Sequence, residues 1–196
     1  MNRRLLLVPF CLALGGCATV LPPVEVTRFH TPALAALAPG SSFRFADGPD
    51  PDRADPERSA YRAAVAVELQ QLGFRAASGN EPAALLIRVD HARTERQAQG
   101  ASPVSVGVGG STGSSGSGLG VGIGFNLGGG PRRWVDLALA VRIDDAASGT
   151  ALWEGRSGTA VPAKSPGAQG SLAAAKLADA LFRDFPGESG RTITLP

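Results

Sequence analysis

The stretch that decides the fold is "RRWVDLALAVRIDDAASGTALWEGRSGTAV", Arg132 to Val161. Leu137, Leu139, Val141 and Ile143 recur at every second residue, the period of a strand with one buried face. "ASGT" is a turn, and "ALWEGRSGTAV" returns with Leu152 and Trp153 near its start. The pair reads as a β-hairpin. Trp134 and Trp153 read as core or sheet-edge aromatics rather than a ligand box.

Strands of this kind need a cover, and two amphipathic helices supply it. The first is expected over about Pro56 to Leu72, with Asp55 as cap, Pro56 at the first helical position and Gly73 as the stop. Its residues Tyr61, Val65, Leu69 and Leu72 share one face. The second is expected over about Ser171 to Phe185, capped by Ser171 and ended by Pro186, with Leu177, Leu181 and Phe185 four apart. Val24 to His30, "SSFRFA" and Ala84 to Ala92 read as further strands, the third continued outward, past the sheet, by "RTERQAQG". Thr192 to Leu195 reads as a short one. The order gives an α+β fold: a two-layer sandwich, mostly antiparallel sheet with two helices packed on one face.

Between the third strand and the hairpin, no residue from Gly100 to Pro131 is charged. Gly118, Gly120, Gly122 and Gly124 alternate with Leu119, Val121, Ile123 and Phe125, and Val104, Val106 and Val108 alternate with Ser105 and Gly107. A dinucleotide loop needs glycines at i, i+2 and i+5 ahead of a helix, and a phosphate loop needs Gly-Lys; neither is present. A continuous membrane span fails on the polar middle "GGSTGSSGSG", which leaves only a short lipid-facing hairpin as a membrane reading. The period of two makes the arms strands and the middle a turn. The apolar face is expected to meet the helices, with the glycine face open or closely approached by other backbone.

The N-terminus is an address. Arg3 and Arg4 precede an apolar run from Leu5 to Leu14, too short to span a bilayer. Leu14-Gly15-Gly16-Cys17 then matches the bacterial lipobox, with cleavage between Gly16 and Cys17 and lipidation of Cys17. Cys11 leaves with the signal, so the mature fold has no disulfide. Arg3 and Arg4 leave too, with no acid among residues 1–16, and the formal charge falls from +2 to zero. Nucleic acid is therefore not an expected partner. Ala18 after the cysteine, rather than Asp, points to the outer membrane. The expected organisation is a signal peptide over 1–16, a lipidated tether over 17–23, a single domain over 24–186 with the Gly-rich hairpin insertion at 100–131, and a tail over 187–196.

Chemistry-bearing groups are sparse. The mature domain holds only His30 and His91, and Asp90-His91 reads as a solvated strand end. Asp144-Asp145 reads as turn geometry rather than a calcium site. Gly109-Gly110-Ser111-Thr112-Gly113 matches a nucleophile elbow in letters but lacks the strand-to-helix context. Glu68 and Glu154 read as surface charge. No catalytic residue, cofactor or metal ligand is expected.

The order of motifs is similar to a family of bacterial envelope lipoproteins, the domain of unknown function 4136 family. A helix ending in "ELQQLGFRAA" leads to the strand "ALLIRV", a hairpin closes with "SGTALWEGRSGTAV", and a final helix ends in "LFRDFP". These span about Val24 to Pro186. A Gly-rich insertion at this point is typical of such proteins; the segment "EPAALL" departs from the Asp often found before the third strand. The resemblance implies the α+β fold and an envelope location, and brings no activity and no functional residues. The expectation is a lipid-anchored periplasmic protein on the outer membrane with a non-enzymatic binding or scaffolding role. Its partners would be the membrane, through lipid on Cys17, and an envelope protein or a further copy of itself. The alternative is a hydrolase-type enzyme acting on envelope material.

Overall fold

The structure, a computed structural model, describes residues 22–46, 55–98, 104–113, 116–125 and 132–196. The expected signal peptide, Gly16, Cys17 and most of the tether lie outside these residues. The main sheet has seven strands: β1 (Val24–His30), β2 (Ser42–Phe45), β3 (Arg75–Ala76), β4 (Leu85–Ala98), β7 (Arg132–Asp145), β8 (Ala151–Pro162) and β9 (Thr192–Leu195). Their order across the sheet is β3-β2-β4-β7-β8-β1-β9. The Gly-rich arms β5 (Val104–Gly113) and β6 (Gly116–Phe125) form a separate two-stranded sheet. The expected burial of their apolar face against the helices concerns side chains outside the described residues.

The fold is α+β, as the patterning indicates. The pairings of β4 with β7, β7 with β8, β8 with β1 and β1 with β9 are antiparallel. Those of β2 with β3 and β4 are parallel. Parallel neighbours need a crossover, and α1 (Pro56–Gln71) provides it between β2 and β4. The third strand is longer than its apolar core suggests. All fourteen residues of β4 pair with β7, from Leu85 opposite Asp145 to Ala98 opposite Arg132. The short strand read at Thr192 to Leu195 within the segment after Pro186 is β9, which adds the seventh strand beside β1.

Asp55 caps α1, its Oδ1 accepting from the backbone N–H of Glu57 (3.0 Å) and Arg58 (3.1 Å). Gly73 follows the helix at φ +90°, the left-handed conformation that a helix stop requires. The second helix, α2 (Gly170–Phe182), begins and ends earlier than its sequence suggests. Its cap position is Gln169, which makes no side-chain capping bond, and Ser171 lies inside the helix. Phe185 lies beyond it in a turn, because Asp184 takes a positive φ of 56°.

Both helices cover one sheet face. Tyr61, Val65 and Leu69 of α1 and Ala174, Leu177, Ala178 and Leu181 of α2 are buried against Val24, Val26, Ile87, Leu139, Val141 and Ile143. Arg28 of β1 also lies there, almost fully buried. Its Nε donates to the Leu181 carbonyl (2.8 Å) and its Nη2 to that of Ala180 (2.9 Å). These are carbonyls that the last turn of α2 leaves unsatisfied, at the negative end of the helix dipole. Desolvation lowers the Arg28 pKa, opposed by the nearby Asp184 carboxylate. Trp153 completes the layer. It stacks on Phe182 at 5.2 Å between centroids and donates from Nε1 to the Pro186 carbonyl (3.0 Å).

The Trp153 ring lies over Gly155. A Cβ there would meet Trp153 Cη2 at 2.3 Å and Leu181 Cδ1 at 2.8 Å, whereas one on Gly158 meets nothing closer than the Leu137 carbonyl at 3.6 Å. Gly155→Ala is therefore expected to lower stability by about 1–3 kcal/mol through overpacking. Gly158→Ala, the control, should leave the urea midpoint near its starting value. The Asp55 carboxyl is held below its ordinary value, first by the Arg58 backbone N–H. A depressed folded pKa gives stability that is full above the ordinary carboxylate range and is lost as pH falls through the folded value. Urea melts at a series of pH values should show Asp55→Ala less stable at pH 7 and with a shallower loss on the acid side.

Candidate functional site

Among the described residues, the other face of the sheet carries no helix. Register places its residues in rows across four strands. Arg88 of β4 lies opposite Arg142 of β7, which faces Glu154 of β8, which faces Phe29 of β1. The next row runs Asp90, Ala140, Arg156, Thr27, and the next Ala92, Ala138, Gly158, Glu25. The centre is thus floored by small residues and walled by charged ones. An open cavity of about 340 Å³ lies over Thr27, Phe29, Asp90, Ala140, Glu154 and Arg156. A second of about 500 Å³ adjoins it over Glu25, Asp136, Ala138, Gly158, Ala160 and Thr194. Together they form a shallow trough across the sheet.

The charged wall is built around Asp144. Its carboxylate is almost fully buried, and Oδ1 accepts from Arg142 Nε at 2.6 Å. Arg88 Nε stands 3.1 Å from Oδ2, in charge contact but without hydrogen-bond alignment. Arg142 also donates from Nη1 to Glu154 Oε1 at 3.0 Å. These contacts, the bond to Asp144 foremost, raise the Arg142 pKa above its already high value. Arg88 and Arg142 are direct cross-strand neighbours, an arrangement that repels unless a counter-charge lies between them. Asp144 is that counter-charge. The ladder shifts by one residue beside it, leaving Leu152 without an opposite number. Such a bulge re-aims the side chains around it.

The residues singled out in the sequence are dispersed. His91 is not at a strand end: it lies within β4, stacked on Tyr61 at 4.9 Å on the helix side, with Nε2 3.9 Å from Asp55 Oδ2. His30 Nε2 lies 3.2 Å from the Gly187 carbonyl, in another part of the molecule. Asp145 does shape the turn, accepting from the Ser148 N–H (2.7 Å) and hydroxyl (2.8 Å). Its neighbour Asp144 instead anchors the arginines. Glu154 is an ion-pair partner, and Glu68 faces Asp179 of α2, burial and then that charge raising its pKa. Ser111 stands within β5 opposite Gly118, in a strand-to-strand hairpin rather than a strand-to-helix elbow.

A second polar group lies beneath α1. Burial pushes the Tyr61 hydroxyl up to about 12, helped by the Glu57 charge. The Tyr61 hydroxyl and Glu57 Oε1 are buried without a hydrogen-bond partner among the described residues. Among those residues, no three His, Cys, Asp or Glu side chains come together as metal ligands would. The trough therefore offers paired arginines, carboxylates and a flat floor: groups that recognise a polar or charged surface by contact.

Asp144 carries the wall, and Glu154 only extends it. Asp144→Asn is expected to cost about 1.5–3 kcal/mol, the value of a hydrogen bond to a charged group, measured by chemical unfolding. Glu154→Gln removes a half-exposed pair and should cost less than half as much.

Comparison with known proteins adds a family and distant shapes. A family model described as a domain of unknown function, DUF4136, matches residues 27–187. No curated protein matches the chain. Among solved structures, a PDZ domain protein from Parabacteroides distasonis is 14% identical, with a TM-score of 0.48. The match covers 88% of this chain but 39% of that one. The PelC dodecamer from Paraburkholderia phytofirmans is 14% identical over 85% of this chain and 99% of that one, with a TM-score of 0.43.

Proposed function

The chain belongs to the DUF4136 family, a family defined without a function, and from the residues themselves we propose a lipid-anchored protein of the periplasmic face of the bacterial outer membrane. Its role is non-enzymatic: it binds or scaffolds another component of the envelope. Location rests on the sequence, on Leu14-Gly15-Gly16-Cys17 after a basic start and a ten-residue apolar run. Lipid on Cys17 holds the chain at the membrane, and several acyl chains on one residue give firm attachment.

The single observation that carries the binding role is the sheet face that no described helix covers. A two-layer sandwich covers one side of its sheet, and here the other side carries two adjoining cavities floored by Ala138, Ala140 and Gly158. Small residues on a sheet face let another surface approach closely. Arg142, Glu154, Arg156 and Asp90 at its margin supply charge of both signs, which sets register and partner choice more than raw affinity.

A photo-crosslinking residue in place of Ala138, in cells, tests the binding role. The expected outcome is one dominant envelope adduct, lost when Arg142 and Arg156 are replaced by Ala in a chain that still folds. Adducts unchanged by those replacements, or none at all, would refute it. Intact mass tests the anchor separately. Cys17→Ser should remove the lipid increment, and an unchanged mass would refute lipidation.

A further inference from the structure

The Gly-rich hairpin and the tether leave the domain at one end. Arg132 opens β7 opposite Ala98, the last residue of β4, and Trp134 lies opposite Pro162, the last of β8. The hairpin thus departs where β8 finishes. β1 begins at that same end, since Glu25 lies opposite Gly158. Thr159 Oγ1 donates to the Pro23 carbonyl (2.8 Å), and Lys176 Nζ to that of Pro22. Cys17 stands five residues before Pro22. Five extended residues reach at most about 18 Å. A surface that holds Cys17 therefore lies within that reach of Pro22, which sits at the end of the sheet where β4 stops and β7 starts.

The hairpin suits that surface. Each arm has ten residues, and a strand crossing a bilayer needs about 9–11. Register pairs Val104 with Phe125, Val106 with Ile123, Val108 with Val121, and Gly110 with Leu119. The alternate rows pair Ser105 with Gly124, Gly107 with Gly122, Gly109 with Gly120, and Ser111 with Gly118. Alternate residues of a strand share a face, so by register the apolar residues of both arms fall in one set of rows and glycine and serine in the other. The rows from Val104 to Gly110 span about 20 Å at about 3.3 Å per residue, within the roughly 25 Å apolar band of outer-membrane barrels. Of the polar stretch that spoils a continuous span, the described residues Ser111 to Gly113 and Gly116 to Gly118 pair beyond these rows. Arg132 and Arg133 follow the uncharged run directly, where basic residues would meet anionic headgroups. No described helix is long and apolar enough to cross a membrane, so any crossing among the described residues is made by strands.

We propose that the arms Val104–Gly113 and Gly116–Phe125 insert into the membrane that holds Cys17, their Val, Leu, Ile and Phe rows against the hydrocarbon. Where that membrane lies rests on the anchor reading above. A lone hairpin leaves backbone N–H and C=O groups bare along both edges, which lipid does not tolerate. The same hairpin from neighbouring copies of the chain closes those edges, with the glycine and serine rows turned inward.

The test uses the full lipidated chain in vesicles of phosphatidylethanolamine and phosphatidylglycerol. An environment-sensitive fluorophore is placed in turn at Val106→Cys, Gly107→Cys, Val108→Cys, Gly120→Cys, Val121→Cys, Gly122→Cys and Ile123→Cys. Blue-shifted emission quenched by lipid-borne nitroxide is expected at 106, 108, 121 and 123, and water-like emission at 107, 120 and 122. Chemical crosslinking of the same vesicles should give species larger than a dimer. The double variant Val106→Asp, Ile123→Asp, with far-UV circular dichroism unchanged, should lose both signals while keeping its lipid. A lipid-modified chain with flat, water-like emission at every position overturns the hairpin proposal alone. So does the same period-two protection in detergent-free solution without vesicles, which would mean that protein covers the apolar face. An intact mass without lipid overturns the anchor reading, and the hairpin proposal with it.

Discussion

Everything in this fold hangs on the ladder between β4 and β7. Its fourteen pairs run from Leu85 opposite Asp145 to Ala98 opposite Arg132. A slip of one residue would turn every side chain of one strand to the wrong face. In the register it has, Ile87, Leu139, Val141 and Ile143 go under the helices, and Arg88, Asp90, Ala138, Ala140 and Arg142 go to the open side. The same register sets two arginines opposite each other and so calls for Asp144 between them. It also fixes Ala98 and Arg132, the two points between which the Gly-rich arms are inserted, opposite each other. Core, trough and hairpin are three readings of one alignment.

The second constraint is the closure of α2 onto β1. Arg28 is a charged residue placed among apolar neighbours, which is costly unless its donors are matched. The carbonyls of Ala180 and Leu181 match them, and Ser157 Oγ donates to the Leu177 carbonyl (2.9 Å) one strand away. The left-handed turn at Gly187 is part of the same device, because a Cβ there would lie 2.6 Å from Arg28 Cδ. Directional bonds at the helix end fix its height over the sheet in a way that the small alanines of α2 could not.

What was legible in the sequence followed from repetition. Val24 to His30, the hairpin, α1 with its Asp55 cap, and Thr192 to Leu195 each show a period or a cap with a local cause. Illegible parts had causes far away in the chain. The parallel pairing of β2 depends on where α1 returns the chain. That "RTERQA" stays within the sheet rather than running past it depends on β7, which pairs with it as far as Ala98. His91 looked solvated because its stacking partner Tyr61 is thirty residues away. Arg28, between Thr27 and Phe29, looks like any outward strand residue until the end of α2 is placed over it. Of the trough, the small floor was visible as letters, but its rows were not, since they are assembled from four strands.

The pairing of β9 with β1 brings Val24 beside Leu195. The folded unit is therefore entered and left at one spot on its outline, like a loop of string gathered at a knot. A short bridge between these two positions would close the domain into a continuous ring, and new ends could then be opened at an exposed turn such as Ser148–Gly149 without unpairing the sheet. Anything joined after Leu195 would sit beside the point where the tether begins, on the side of the domain away from the turn between β7 and β8.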